Sequence, residues 1–409
     1  LFLKKKDLFK GYTGRILLIV SLGWAITQTG RFLLPPLLPA IMEEVNISVF
    51  VAGIILTIMQ IVYALAQYPS GKLSDISNRS VIIIPGMLVI ALSFFLLAGV
   101  NTASILVISV ALLGLGRAMY NIPSRALISD LFSSKRGEAM GIFTAGSDLG
   151  GIVAGGISVA LVAVSGLFII GGIPNWRVVM FFWGLVALFL VVLFKSQEKE
   201  VLNLNFKGGK IYEILNKIKS SVKEDIGYIL GGKSQRETIL AFAFFIFVAT
   251  AIVNFLPLYL IEEKGFSLRI SGSIFGWFFL LGMVVKPIIG GLSDRFPRYL
   301  ISMGGLMISA VGIGLLIVAE SVIGVMIAIA IFAIGYKGQF PVIDAILMDG
   351  APDNLTGSYI GAARTVFFTL GGVGAAYMGW MGQYHSFQIG FIGLGIALII
   401  AIILLYRNY

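Results

Sequence analysis

The chain has 409 residues, 58% of them hydrophobic and only 12% charged, with a formal net charge of +10. Soluble globular proteins carry roughly 25% charged residues, so this balance excludes a water-soluble globular fold, a disordered chain and a nucleic-acid-binding protein. With no Cys and one His, no thiol redox chemistry, disulfide or Cys-based metal site is available, and no cofactor or metal is expected.

A spanning helix needs about 20 predominantly apolar residues. In chain order, the stretches that qualify are 15–41, 47–70, 80–100, 103–127, 138–166, 176–195, 238–261, 268–291, 299–318, 321–347, 357–381 and 386–406. The first follows Lys4, Lys5, Lys6 and Lys10 and is far too long for the h-region of a cleaved leader. A polar segment separates the sixth stretch from the seventh. The expected organisation is an N-terminal six-helix half (1–195), a linker (196–237) and a C-terminal six-helix half (238–409). Lys and Arg crowd the N-terminal tail and the linker, whereas the loops on the other side hold only Arg177, Lys264 and Arg269. The positive-inside rule then places both termini in the cytoplasm, with the excess charge facing anionic lipid headgroups.

Within the linker, Ile211, Ile214, Leu215, Ile218 and Val222 fall on one helical face with Lys217, Lys219 and Lys223 around it. That pattern predicts an amphipathic helix on the inner membrane surface. The string from Gly227 to Ser234 fits the P-loop consensus in letters alone. A P-loop needs a strand before it, a helix after it and an α/β sheet around it, and the linker is too short to supply them.

The two halves repeat. Gly71–Asp75 recurs as Gly290–Asp294 at an offset of 219, Pro123 as Pro341 at 218, and Asp130 as Asp349 at 219. Gly137 and Gly141 recur as Gly357 and Gly361 at 220, and Gly150-Gly151 as Gly371-Gly372 at 221. A near-constant offset indicates duplication into parallel halves, an arrangement known among transporters.

Charges inside the spans are informative because each Lys or Arg at a helix centre costs about 2.5–3.5 kcal/mol on insertion scales. Five such bases occur: Arg31, Arg117, Lys286, Lys337 and Arg364. Asp148 is the one acid well inside a span, and Asp344 lies nearer a span end. These groups must face the bundle interior or a wet cavity. Their positive excess favours an anion, which Arg can clamp with two parallel hydrogen bonds. Arg117 is the expected partner of Asp148, and Lys337 a weaker partner of Asp344. A carboxyl in a low-dielectric interior is also a candidate proton carrier, so Asp148 is the proton-coupling candidate. Further interior positions are the aromatic Trp24, Tyr63, Tyr120, Trp277 and Tyr336, the amides Gln28, Gln60 and Gln339, and Pro35, Pro36 and Pro39, which kink the first span.

Gly71-Lys72-Leu73-Ser74-Asp75-Ile76-Ser77-Asn78-Arg79 resembles the signature loop between spans two and three of the major facilitator superfamily, with Ile76 replacing the usual base and Asn78 the usual Gly. The second copy, Gly290 to Arg298, keeps Arg295 but carries Pro297 at the Gly position. Gly146 to Gly156 resembles the family's Gly-rich fifth span without its Pro. The resemblance implies an all-α membrane fold of 12 transmembrane helices in two six-helix halves, no enzymatic activity, a monomer, and secondary transport by alternating access. It also implies that Gly71, Asp75, Arg79, Gly290, Asp294 and Arg295 form a gating latch, and that Arg31, Arg117 and Lys337 line the central cavity. Lys286 and Arg364 are then near neighbours at the interface of the halves. Together these readings predict a carrier in the cell membrane for a small organic or inorganic anion, by proton coupling or exchange. The alternatives are a multidrug or amphiphile exporter of the same fold and a non-transporting membrane sensor or scaffold.

Overall fold

A computed structural model describes residues 8–132, 135–163, 175–197, 227, 231–351 and 356–408. These form thirteen long helices and, among the described residues, no strand: α1 (Gly11–Val45), α2 (Val49–Ile76), α3 (Arg79–Ala98), α4 (Ala103–Leu131), α5 (Arg136–Ala163) and α6 (Asn175–Ser196), then α7 (Lys233–Glu262), α8 (Leu268–Ser293), α9 (Arg298–Val318), α10 (Val322–Asp349), α11 (Thr356–Gly371), α12 (Gly374–Tyr384) and α13 (Phe387–Tyr406). The hydroxyls or amide of Ser48, Asn78, Thr102, Ser267, Ser321 and Ser386 accept backbone N–H bonds at helix starts, which satisfies donors that a helix leaves open. The linker helix expected around Ile211–Val222 lies outside the described residues. Lys233 and Ser234 of the P-loop-like string are the first residues of α7.

Eleven of these helices are each long and apolar enough to cross a membrane. The eleventh stretch, expected as one span over 357–381, is instead two helices. The break has a local cause. The Thr250 hydroxyl donates to the Gly371 carbonyl at 2.8 Å, so a carbonyl released from helical bonding is still satisfied. Gly374 lies so close to the Phe247 carbonyl that a Cβ there would sit 2.0 Å from its oxygen.

In the first half α1 packs on α5, and α3 on α4 and α6; in the second, α9 packs on α10, and α13 on α7 and α9. Across the halves α5 meets α8, and α2 meets α11 and α12. The duplication is visible in side-chain contacts. Arg79 pairs with Asp130 at 3.2 Å and Arg298 with Asp349 at 2.6 Å, the same pair in each half at an offset of 219. Glu44 and Glu263 are likewise 219 apart, yet their tasks differ. Glu44 accepts from Trp176 Nε1 at 2.8 Å and Arg177 Nε at 2.7 Å, whereas Glu263 accepts the backbone N–H groups of Phe387 and Gln388 and caps α13.

One face of the bundle is sealed, the face on which α1 ends and α2 begins. There Phe32 packs on Phe279 with ring centroids 4.3 Å apart, and Gly155 lies against Gly272 and Gly276. Gln383 Oε1 accepts from Val49 N at 3.1 Å, and Thr57 Oγ1 accepts from Ala376 N at 2.9 Å. All four contacts join the two halves. Small residues let the backbones approach closely without a hydrophobic driving force between helices.

Candidate functional site

Between the halves lies a cavity of about 580 Å³, within the range of small-molecule sites, roughly 300–1,000 Å³. Its wall runs from Phe32 and Phe279 at the seal to Gly137, Asp344 and Met348 near the opposite face. A Cβ placed on Gly137 or Gly141 would have no neighbour within 4 Å, so that end is open. Among the described residues, Arg31, Arg117, Arg125, Lys286, Lys337 and Arg364 line it with Asp148 and Asp344. Six bases against two acids leave an excess of four positive charges.

The acids are taken by particular bases. Asp148, on α5, receives Lys286 Nζ from α8 at 2.5 Å on one oxygen and Lys337 Nζ from α10 at 3.0 Å on the other. The triad therefore crosses the interface of the halves. Gly282 makes room for it, since a Cβ there would lie 2.6 Å from Asp148 Oδ1 and 2.9 Å from Lys337 Cδ. Lys337 also sits over the rings of Phe279 at 3.8 Å and Phe278 at 4.2 Å, a cation–π setting that helps hold a desolvated ammonium. Asp344 is held by Arg364 Nη2 at 2.6 Å.

These pairings correct two expectations. Arg117 is not the partner of Asp148, and Lys337 is not the partner of Asp344. Arg117 is 2% exposed; its Nε donates to Gln28 Oε1 at 3.3 Å, and its guanidinium lies 4.3 Å from the Tyr63 ring centroid. Arg117 Nη1 has no hydrogen-bond partner, and neither has Arg31 Nε. Neither residue has an ion-pair partner among the described residues. Lys286 and Arg364 line the same cavity and are tied to different acids.

Arg125 is the base that sequence reasoning missed: it falls two residues from the end of the expected stretch 103–127, where a base reads as interfacial, but α4 runs on to Leu131. Arg117, Asn121 and Arg125 follow at four-residue steps on one face of α4. Arg125 Nε donates to Asn121 Oδ1 at 3.1 Å, and Asn121 Nδ2 donates to the Tyr63 hydroxyl at 2.9 Å. Gln28 continues the chain by donating to Ser147 Oγ at 2.9 Å. Among the aromatic candidates, Trp24, Tyr63 and Tyr336 line the cavity. Tyr120 instead packs α4 to α1 through its hydroxyl on the Val20 carbonyl at 2.7 Å. Gln60 lines the cavity, whereas Gln339 ties α10 to Ser302 of α9.

Of the signature residues, Arg79 is paired with Asp130 as described, and Asp294 lies 4.0 Å from Arg298. Arg295 is exposed. The side chain of Asp75 is outside the described residues.

Residues 20–376 match the Major Facilitator Superfamily. The chain belongs to this superfamily. It is a membrane transporter and not an enzyme. The glycerol-3-phosphate transporter of Bacillus subtilis (strain 168) is 26% identical over 97% of this chain and 90% of its own length. The hexuronate transporter of the same organism is 24% identical over 96% and 94%. A protein described as "Probable nitrate transporter NarT" of Staphylococcus haemolyticus (strain JCSC1435) is 24% identical over 90% and 89%. Among solved structures, a bacterial homolog to the human lysosomal transporter Spinster, in an inward-facing and occupied conformation, aligns with a TM-score of 0.78 at 16% identity over 98% of this chain and 97% of that one. The D-xylose–proton symporter aligns at 0.76 with 14% identity over 97% and 98%. At such identities the structural matches establish the facilitator fold alone.

Proposed function

We propose that this transporter carries a small anion bearing a carboxylate, phosphate or related oxyanion, through a site built on Arg31 and Arg117. One observation carries the reading. Among the described residues, both cavity carboxylates are occupied by other bases, while the Arg31 and Arg117 guanidinium groups stand in the cavity with no acid and each with a nitrogen atom that has no hydrogen-bond partner. A buried, unpaired donor of a charged group costs about 1–3 kcal/mol or more, and an anion would remove that cost. Transport of anions by the three relatives named above supports the same class. Lys337, Lys286 and Arg364 complete the positive wall.

In this reading Asp148 is the coupling acid. An anion that draws Lys286 or Lys337 toward itself frees the carboxylate for a proton, which links the two fluxes. The signature residues Gly71, Asp75, Arg79, Gly290, Asp294 and Arg295 serve the closure of the open face, and that face is cytoplasmic in a cell-membrane protein. The unit that works is the monomer.

The test is thermal stabilisation of purified protein by sn-glycerol 3-phosphate, glucuronate, nitrate and a lipophilic amine. A ligand at 100 times its Kd adds about 2.7 kcal/mol. Stabilisation by at least one anion is expected, with its loss in Arg31→Gln and Arg117→Gln proteins that remain folded. Stabilisation by the amine alone, unchanged in both variants, overturns the anion reading. For coupling, an imposed proton gradient is expected to drive uptake of the stabilising anion into proteoliposomes, and Asp148→Asn to remove that drive. Undiminished gradient-driven uptake in the variant excludes Asp148.

A further inference from the structure

We infer that the cavity holds a second, weaker anion station at its mouth, formed by Arg125 of α4 and Arg364 of α11, with Asp344 as the group that weakens it. The inference rests on the anion reading above and extends it along the path out of the protein.

Arg125 lies eight residues beyond Arg117 on the same face of α4, about 12 Å closer to the open face at 1.5 Å per residue. Among the described residues its one hydrogen-bonded partner is the neutral Asn121, and it has no ion pair there. Arg364 comes from the other half. One of its nitrogens is bound to Asp344, while its Nε is buried and bonds to nothing. Both side chains and Asp344 line the same cavity wall, within electrostatic reach of one another. Two guanidinium groups and one carboxylate leave a single net positive charge.

That count places the mouth cluster in a series. The deep pair, Arg31 and Arg117, carries two charges with no acid. The Asp148–Lys286–Lys337 triad carries one net charge, and the mouth cluster carries one. An anion released from the deep site toward open water leaves a strong well. A conducting path needs sites strong enough to enter and weak enough to leave, and clefts lined by one sign of charge focus the field along their length. The mouth cluster fits that need because its acid competes with the anion for Arg364. The duplication also accounts for its one-sidedness. Arg125 and Asp344 are repeat-equivalent at an offset of 219, and Arg364 is equivalent to Thr144 at 220. The same two places thus carry a base and a neutral group in one half, an acid and a base in the other.

The natural absence of Cys gives a direct test. Thr144→Cys places one thiol on the cavity wall near the mouth. Its reaction rate with an anionic and with a cationic methanethiosulfonate reagent is measured, with and without inorganic phosphate, glucuronate or nitrate. Arg125→Gln breaks no ion pair among the described residues, and it is expected to slow the anionic reagent on the order of five-fold, the effect of one charge at about 8 Å in an intermediate dielectric. Arg364→Gln is expected to act in the same direction. Asp344→Asn, which removes the competitor, is expected to lower the anion concentration that half-protects the thiol several-fold. Protection that survives Arg117→Gln but disappears in Arg125→Gln supports the station. Protection lost in Arg117→Gln and kept in Arg125→Gln and Arg364→Gln overturns it and leaves the anion site at the deep pair. Absence of protection by all three anions overturns both.

Discussion

Asp148→Asn is expected to have a large effect on stability. The carboxylate is 1% exposed, and its two partners are 4% exposed (Lys337) and 23% exposed (Lys286). At contact distances of 2.5 and 3.0 Å, each attraction is about 5–7 kcal/mol at an effective dielectric of about 20. Desolvating each ion costs several kcal/mol, so the gross figures largely cancel and the intact triad adds little by itself. Breaking it is another matter. Removal of one partner from a buried pair costs about 3–5 kcal/mol, and here the amide would leave two ammonium groups side by side with no counter-charge. Unfolding of the parent, Asp148→Asn, Lys337→Met and the double variant in detergent measures this as a cycle. Asp148→Asn is expected to lose about 3–5 kcal/mol, and the double variant to recover part of the loss, with a coupling of about 1–3 kcal/mol. A loss under about 1 kcal/mol, or strictly additive effects, would refute the assignment of Asp148 as the shared counter-ion.

Gly282→Ala puts a methyl group 2.6 Å from Asp148 Oδ1, and overpacking of this kind costs about 1–3 kcal/mol; the same unfolding assay reads it, and parent-like stability would mean that the triad is not confined at that wall. Phe279→Ala removes a 2% exposed ring from the seal, at a cost of about 3–5 kcal/mol. It is also expected to let an impermeant reagent applied at the sealed face reach a Thr144→Cys thiol, and continued protection would locate the seal elsewhere. Glu263→Gln weakens the carboxylate cap on the first two N–H groups of α13 and is expected to cost about 0.5–2 kcal/mol. Glu44→Gln, its repeat equivalent, should instead loosen Trp176 and Arg177, read as a change in Trp fluorescence; an unchanged spectrum would contradict that contact.

The spans were legible because membrane crossing demands about 20 apolar residues and the chain supplies little else. The clustering of Arg31, Arg117, Lys286, Lys337 and Arg364 around a cavity also follows from solvation cost alone. Which acid serves which base was not legible. Spacing along one helix says nothing of the helix that faces it, and Asp148 looks toward α8 and α10 rather than toward α4. Arg125 was hidden by its place two residues from the end of the stretch 103–127, where a base reads as interfacial, although its step of eight from Arg117 would have shown a continuous polar face. The break after Gly371 was masked because Gly371-Gly372 served as a landmark of the repeat. What interrupts the helix is the neighbouring α7, through Thr250 and Phe247.

That break makes the eleventh crossing two levers on one fulcrum. The α12 segment is bolted to α2 at the sealed face through Thr57 and Gln383, so it belongs mechanically to the seal. The α11 segment carries Arg364 and answers to Asp344 on α10. The joint at Gly371–Gly374 divides the charge at the mouth from the contacts at the seal. The charge at the cavity mouth thus rides on a different helix from the one that ties the seal.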